Sequence, residues 1–134
     1  MRLKTIVYSS RQCLEFTEID LERLLARARA KNRRLGVSGV LLYCKGHFMQ
    51  LLEGQEVTVE RLFRTIQEDE RHEDVKILAK GLISGREFCD WSMAFSRVDE
   101  IFFGHLSEAR WLTGSEDLPC GHARLRAFWQ DNAS

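Results

Sequence analysis

Proline is almost missing from this chain: Pro119 is the single one in 134 residues. That scarcity argues against a proline-rich linker or a disordered polymer. Charge of one sign is missing too, since twenty basic residues balance twenty acidic ones for a formal net charge of zero. The electrostatic footprint that nucleic-acid binding needs is therefore absent. No apolar run approaches membrane-spanning length, and Met1-Arg2-Leu3-Lys4-Thr5 leads into a short apolar stretch without a signal-peptide core or a small-residue cleavage site. A cytoplasmic protein with neither a nucleic-acid nor a membrane partner is expected. Cys13, Cys44, Cys89 and Cys120 contain no pair at CxxC or zinc-finger spacing, which predicts reduced thiols and no metal site. Also missing are a GxGxxG after a strand, a Walker loop, HExxH and GxSxG, so no common nucleotide-binding or hydrolytic signature is present.

What is present suits one compact ordered unit, with 44% hydrophobic and 30% charged residues. Residues 3–10 alternate and are rich in strand formers, ending in the polar Ser9-Ser10-Arg11-Gln12. Thr17 followed by Asp20 has the spacing of a helix cap, and Ile19, Leu21, Leu24, Leu25 and Ala28 then recur at helical spacing up to Asn32 and Gly36. Residues 37–43 and 47–52 are apolar runs joined by Cys44-Lys45-Gly46, which predicts an antiparallel hairpin. Val59, Leu62, Phe63 and Ile66 share a face of a second helix over 57–67, interrupted at 69–74. Strands are expected at 75–83 and 92–98, and one or two amphipathic helices beyond residue 100. The order βαββαββ predicts an α+β fold, a ferredoxin-like sandwich with one mixed five-stranded sheet and two helices on one face.

Parity along the strands then places the remaining chain. Val37, Leu41 and Tyr43 point to one side of their strand and Val40, Leu42 and Cys44 to the other, so both faces are apolar. The second face needs a cover, and the helical extension after residue 96 is the material available for it. The same parity puts Tyr8 on a face with Ile6, and Gln50 on a face with Phe48 and Leu52. A phenol and an amide amid apolar neighbours need partners, because a buried unsatisfied polar group costs about 1–3 kcal/mol. From spacing alone a quiet core hydrogen bond between them is the favoured reading.

Wider text changes that weighting. Ile6-Val7-Tyr8-Ser9-Ser10, Asn32 with Gly36-Val37-Ser38-Gly39-Val40-Leu41-Leu42-Tyr43, Phe48-Met49-Gln50-Leu51-Leu52-Glu53-Gly54, Asp69-Glu70-Arg71-His72 and Trp91-Ser92-Met93 follow one another in colinear order. Together they resemble the BLUF family, sensors of blue light using FAD. The resemblance covers the first hundred residues or so, and implies a flavin photosensor domain over 2–95 with a helical extension over 96–134. It makes Tyr8 the redox-active tyrosine, Gln50 the amide between it and the flavin, and Asn32 the amide at the ring's carbonyl and imide edge. Trp91 and Met93 become the signal-relay pair near the glutamine, and His72 approaches the flavin edge. Arg64 is a candidate for a ring edge or a phosphate, since a guanidinium offers several donors and a permanent charge. Lys31 stands where some family members carry another polar residue beside the asparagine, so the resemblance specifies contacts to the ring more closely than those to the ribityl or phosphate part.

The resemblance further implies FAD, with FMN or riboflavin as alternatives, no enzymatic activity, a downstream protein partner and a homo-oligomer. With no cyclase or phosphodiesterase following the sensor, output is expected to pass to another molecule. Two other classes stay open. One is an interaction module without flavin, in which Tyr8 and Gln50 fill the core. The other is an acylphosphatase-like enzyme on the same fold, weakened by the lack of a glycine in Ser9-Ser10-Arg11-Gln12.

Overall fold

The computed structural model describes residues 2–13, 15–88, 92–112 and 120–132, without the side chains of 129–132. Among the described residues nine elements follow in chain order: β1 (Leu3–Gln12), α1 (Glu18–Leu35), β2 (Ser38–Cys44), β3 (His47–Gln55), α2 (Glu56–Gln67), β4 (His72–Ile83), β5 (Ala94–Arg97), α3 (Glu100–Glu108) and α4 (Gly121–Asn132). The strands form one sheet in the order β4-β1-β3-β2-β5. Neighbours are antiparallel except β2 and β5, which run parallel. The expected mixed five-stranded α+β sandwich is therefore the observed one.

Local chemistry sets the boundaries. Thr17 and Asp20 close a capping box at the start of α1, and Gly36 ends that helix in the left-handed conformation at φ 71°. Lys45 and Gly46 have φ 45° and 85°, the two positive values of the tight turn that suits the right-handed twist of a two-residue hairpin. Several strand ends differ from expectation; β3, for one, runs on to Gln55, which pairs with Leu3 of β1. β1 runs on to Gln12 because Arg11 pairs with His47 and Gln12 with His72, so the polar residues are strand rather than loop. β4 starts at His72 for the same reason, with Asp74 taking up the strain at φ 54°. β5 is shorter, since residues 92–93 are held by α1 side chains instead of a strand neighbour.

Two cores lie on the two faces of the sheet. On one, Ile6, Tyr8, Leu41, Phe48 and Leu52 meet Leu21 and Leu25 of α1 and Val59, Leu62 and Phe63 of α2. On the other, Val7, Val40, Leu42, Met49 and Leu51 meet Phe88, Leu106, Trp111 and Leu125. The helical extension thus covers the second face, as strand parity requires. Trp111 lies just outside α3, its indole Nε1–H donating to the Leu106 carbonyl at 3.1 Å. Gly121 allows α4 to start against it, since a Cβ there would lie 2.4 Å from the Trp111 ring.

Candidate functional site

The β1–β3 register sets Tyr8 directly opposite Gln50. Both are buried, at 4% and 7% exposure. The Tyr8 hydroxyl donates to Gln50 Oε1, and the other half of the amide, Nε2, donates to Met93 Sδ at 3.5 Å. Next to Tyr8 the β1–β4 register shifts: Val7 pairs with Ala79 but Tyr8 with Ile77. Such an irregularity bends a strand and re-aims its side chains. Burial pushes the Tyr8 phenol well above its ordinary pKa, and the Asp69 carboxylate pushes in the same direction. Tyr8 is therefore a neutral O–H donor throughout the ordinary pH range.

The pair lines a cavity of about 250 Å³ between the sheet, α1 and α2. Successive turns of α1 present Leu24, Arg27, Ala28, Lys31 and Asn32 to it, and α2 presents Leu62, Thr65 and Ile66. Buried Asn32 donates from Nδ2 to the Ser92 carbonyl at 2.8 Å, and Arg29 Nε donates to the Met93 carbonyl at 2.9 Å. Across the cavity, His72 Nε2 lies 2.6 Å from the Ile66 carbonyl and Nδ1 lies 2.8 Å from Ser10 Oγ. A carbonyl can only accept, so Nε2 carries the hydrogen and, in the neutral ring, Nδ1 accepts from the Ser10 hydroxyl. Asp69 accepts from Arg71 Nε at 3.0 Å, and that guanidinium holds its carboxyl down to about 2.

Five of the residues singled out in the sequence, Tyr8, Lys31, Asn32, Gln50 and His72, line this one cavity. Met93 does not line it but touches the Gln50 amide from behind. Arg64, expected at a ring edge or phosphate, is exposed and is not part of the lining. With Leu62, Thr65 and Ile66 turned inward, a residue two positions after Leu62 faces outward on a helix. Trp91 lies outside the described residues. Sequence reasoning missed Arg27, whose helical spacing from Leu24, Ala28 and Lys31 was the available signal.

A family model described as sensors of blue light using FAD, BLUF, matches residues 3–94. The chain belongs to the BLUF family. The dark-state structure of BlrB, a BLUF protein, superposes with a TM-score of 0.75 at 32% identity, over 95% of this chain and 97% of that one. Photoactivated adenylate cyclase subunit beta of Euglena longa is 42% identical over 74 residues, which are 55% of this chain and 9% of that subunit. The blue light- and temperature-regulated antirepressor BluF of Escherichia coli is 33% identical over 86 residues, 64% of this chain and 21% of that protein. This chain thus matches less than a quarter of either of those two proteins. As a BLUF protein it is a flavin-based sensor of blue light. Among the described residues, no helix is long and apolar enough to cross a membrane.

The BLUF cavity has the donor set a flavin needs. Leu24, Leu41, Leu62 and Ile66 form apolar walls that suit a flat ring, and the amides of Asn32 and Gln50 lie among them. Arg27 and Lys31 of α1 add positive charge along the same cavity, which suits a phosphate tail, whereas the charge of Arg71 is balanced there by Asp69.

Proposed function

We propose that this chain binds FAD non-covalently in the α1–α2 cavity and senses blue light through Tyr8 and Gln50. The observation that carries the reading is their mutual hydrogen bond in the lining of a cavity with apolar walls and cationic residues. Bound flavin supplies absorption of blue light and, once excited, an oxidising centre. Everything else is chemistry of the chain. Tyr8, kept protonated by burial, has Gln50 Oε1 as its acceptor, so an electron taken from the phenol sends its proton toward that oxygen. Gln50 carries a donor and an acceptor and can rotate or tautomerise, which exchanges the pattern it presents to the cavity and to Met93. Asn32 holds the ring edge, His72 flanks it, and Arg27 and Lys31 favour a phosphate-bearing flavin over riboflavin.

In this reading residues 2–95 are the sensor and 96–134 the output extension, with Trp91 and Met93 near the sensor's end of that boundary. The module senses and does not catalyse; output goes to a cytoplasmic partner protein or to a second copy of the chain. Purified protein should be yellow, release FAD on denaturation, and show a spectrum that shifts to longer wavelength in blue light and recovers in darkness. Colourless protein, or a flavin spectrum indifferent to light, would refute it; release of FMN would correct the cofactor alone.

A further inference from the structure

Glu53 is wholly buried, at 0% exposure, three residues beyond Gln50 on β3. Odd spacing turns it to the opposite face of the strand. Its Oε1 accepts the Ser38 hydroxyl at 3.0 Å and the Phe88 peptide N–H at 2.6 Å, and its Oε2 accepts the Glu87 peptide N–H at 3.0 Å. Arg86 Nη1 reaches Ser38 Oγ at 3.2 Å and the Glu53 carbonyl at 3.4 Å. The chain after β4 is therefore fastened to β3 at residues 86–88. It is fastened again at 92–93, where Asn32 and Arg29 hold the two carbonyls and Met93 presents its sulfur to Gln50. From the same turn the Glu87 side chain accepts Arg126 Nη1 of α4 at 2.7 Å, and Phe88 packs in one core with Leu106 and Leu125.

We infer that Glu53 is a positioning residue of the photoswitch: its carboxylate fixes the 86–88 turn, and that turn both sets the segment partnering Gln50 and ties α4 to β3. The inference rests on the photosensory reading of Tyr8 and Gln50. A carboxylate is suited to the task because it is acceptor-only and receives three donors here, so the turn cannot shift without leaving a buried oxygen or peptide N–H unpaired. A residue serving stability alone would, on substitution, lower the unfolding midpoint and leave the photocycle unchanged.

The test compares flavin-loaded wild type, Glu53→Gln and Arg126→Ala. Glutamine keeps the shape of the side chain but sets an NH2 group against a peptide N–H of Glu87 or Phe88. Glu53→Gln should stay yellow and keep its red shift, yet recover in darkness about tenfold faster, equivalent to about 1.4 kcal/mol of barrier. Its light-minus-dark difference in hydrogen exchange across α4 should shrink. Arg126→Ala should lose the α4 difference while recovering at the wild-type rate. Should Glu53→Gln not fold, Ser38→Ala removes one donor from Oε1 and should speed recovery about threefold, equivalent to about 0.7 kcal/mol. Wild-type recovery and wild-type α4 exchange in Glu53→Gln, or in Ser38→Ala in its place, would overturn the inference. A wild type without a red shift would overturn the photosensory reading beneath it, and is told apart by needing no variant.

Discussion

Tyr8 and Gln50 are cross-strand partners whose side chains meet on the helix-covered face of the sheet, the phenol donating to Gln50 Oε1. Neither residue could take the other's part. The phenol can be oxidised and loses its proton when it is; the amide can accept at one end, donate at the other and exchange the two.

Tyr8→Phe removes the oxidisable O–H and keeps the ring against Phe63, whose centroid lies 5.4 Å away. The variant should bind flavin at wild-type occupancy and show no reversible red shift. A normal red shift with normal recovery would remove Tyr8 from the mechanism.

Gln50→Leu keeps the volume and discards both hydrogen-bonding functions. Flavin should bind, but its carbonyl stretch should not move on illumination, which difference infrared spectroscopy reads directly. The Tyr8 hydroxyl would lose its acceptor in a buried site, so stability should also fall by about 1–3 kcal/mol.

Asn32→Ala takes an amide from the cavity and leaves the Ser92 carbonyl without its donor at 2.8 Å. Flavin retention through gel filtration should drop, together with about 1–3 kcal/mol of stability. Wild-type occupancy with an unaltered dark spectrum would mean that Asn32 serves the Ser92 segment alone.

Asp69 gives a pH signature. Its carboxyl sits at about 2 instead of 3.8, chiefly through the side-chain hydrogen bond from Arg71. A depressed pKa means that the folded state binds the proton less readily than the unfolded chain, so the pair's contribution is full above the ordinary value and is lost as pH falls toward the folded one. In Arg71→Ala the Asp69 titration, followed by its carboxyl carbon resonance, should move back toward 3.8. The stability gap between the two proteins should narrow as the pH drops from about 4 to about 2. An unmoved midpoint in the variant would show that the guanidinium is not the cause.

Much of this was legible in the sequence because it depends on local periodicity. The capping pair Thr17 and Asp20, the Lys45-Gly46 turn and the alternation along β2 each carry their own physical reason, and the two-faced alternation already required a second cover for the sheet. Arg64 and the strand ends were harder. Which way a helix turns its arginines depends on the neighbours it packs against, so Arg27 and Arg64 look alike in sequence, yet only Arg27 lines the cavity. Arg11, Gln12 and His72 read as loop by type and become strand because partners across the sheet accept them. Glu53 was quoted as part of a motif, but its clamp is made by residues 15, 34 and 35 positions away.

The extension over the second face is the element best placed to move. Leu106 and Leu125 are fully buried against the sheet, whereas Ile101 on the outer side of α3 is 72% exposed and Phe102 stacks on Phe128 with centroids 4.8 Å apart. For light to act on this cover, two arrangements must lie within a few kcal/mol of each other, because a small change at the ring cannot overturn a larger bias. Truncating a buried leucine to alanine costs about 2–5 kcal/mol, the size needed to tip such a balance without light. Leu125→Ala should therefore raise hydrogen exchange across α3 and α4 in darkness to the level that wild type reaches only under illumination, and should narrow the difference between the two states. Sizing of wild type in the dark and under blue light reports whether the released apolar face is taken up by a second copy. Equal protection of α3 and α4 in dark and lit wild type, with equal mass, would rule out this route of output and leave the flavin site untouched.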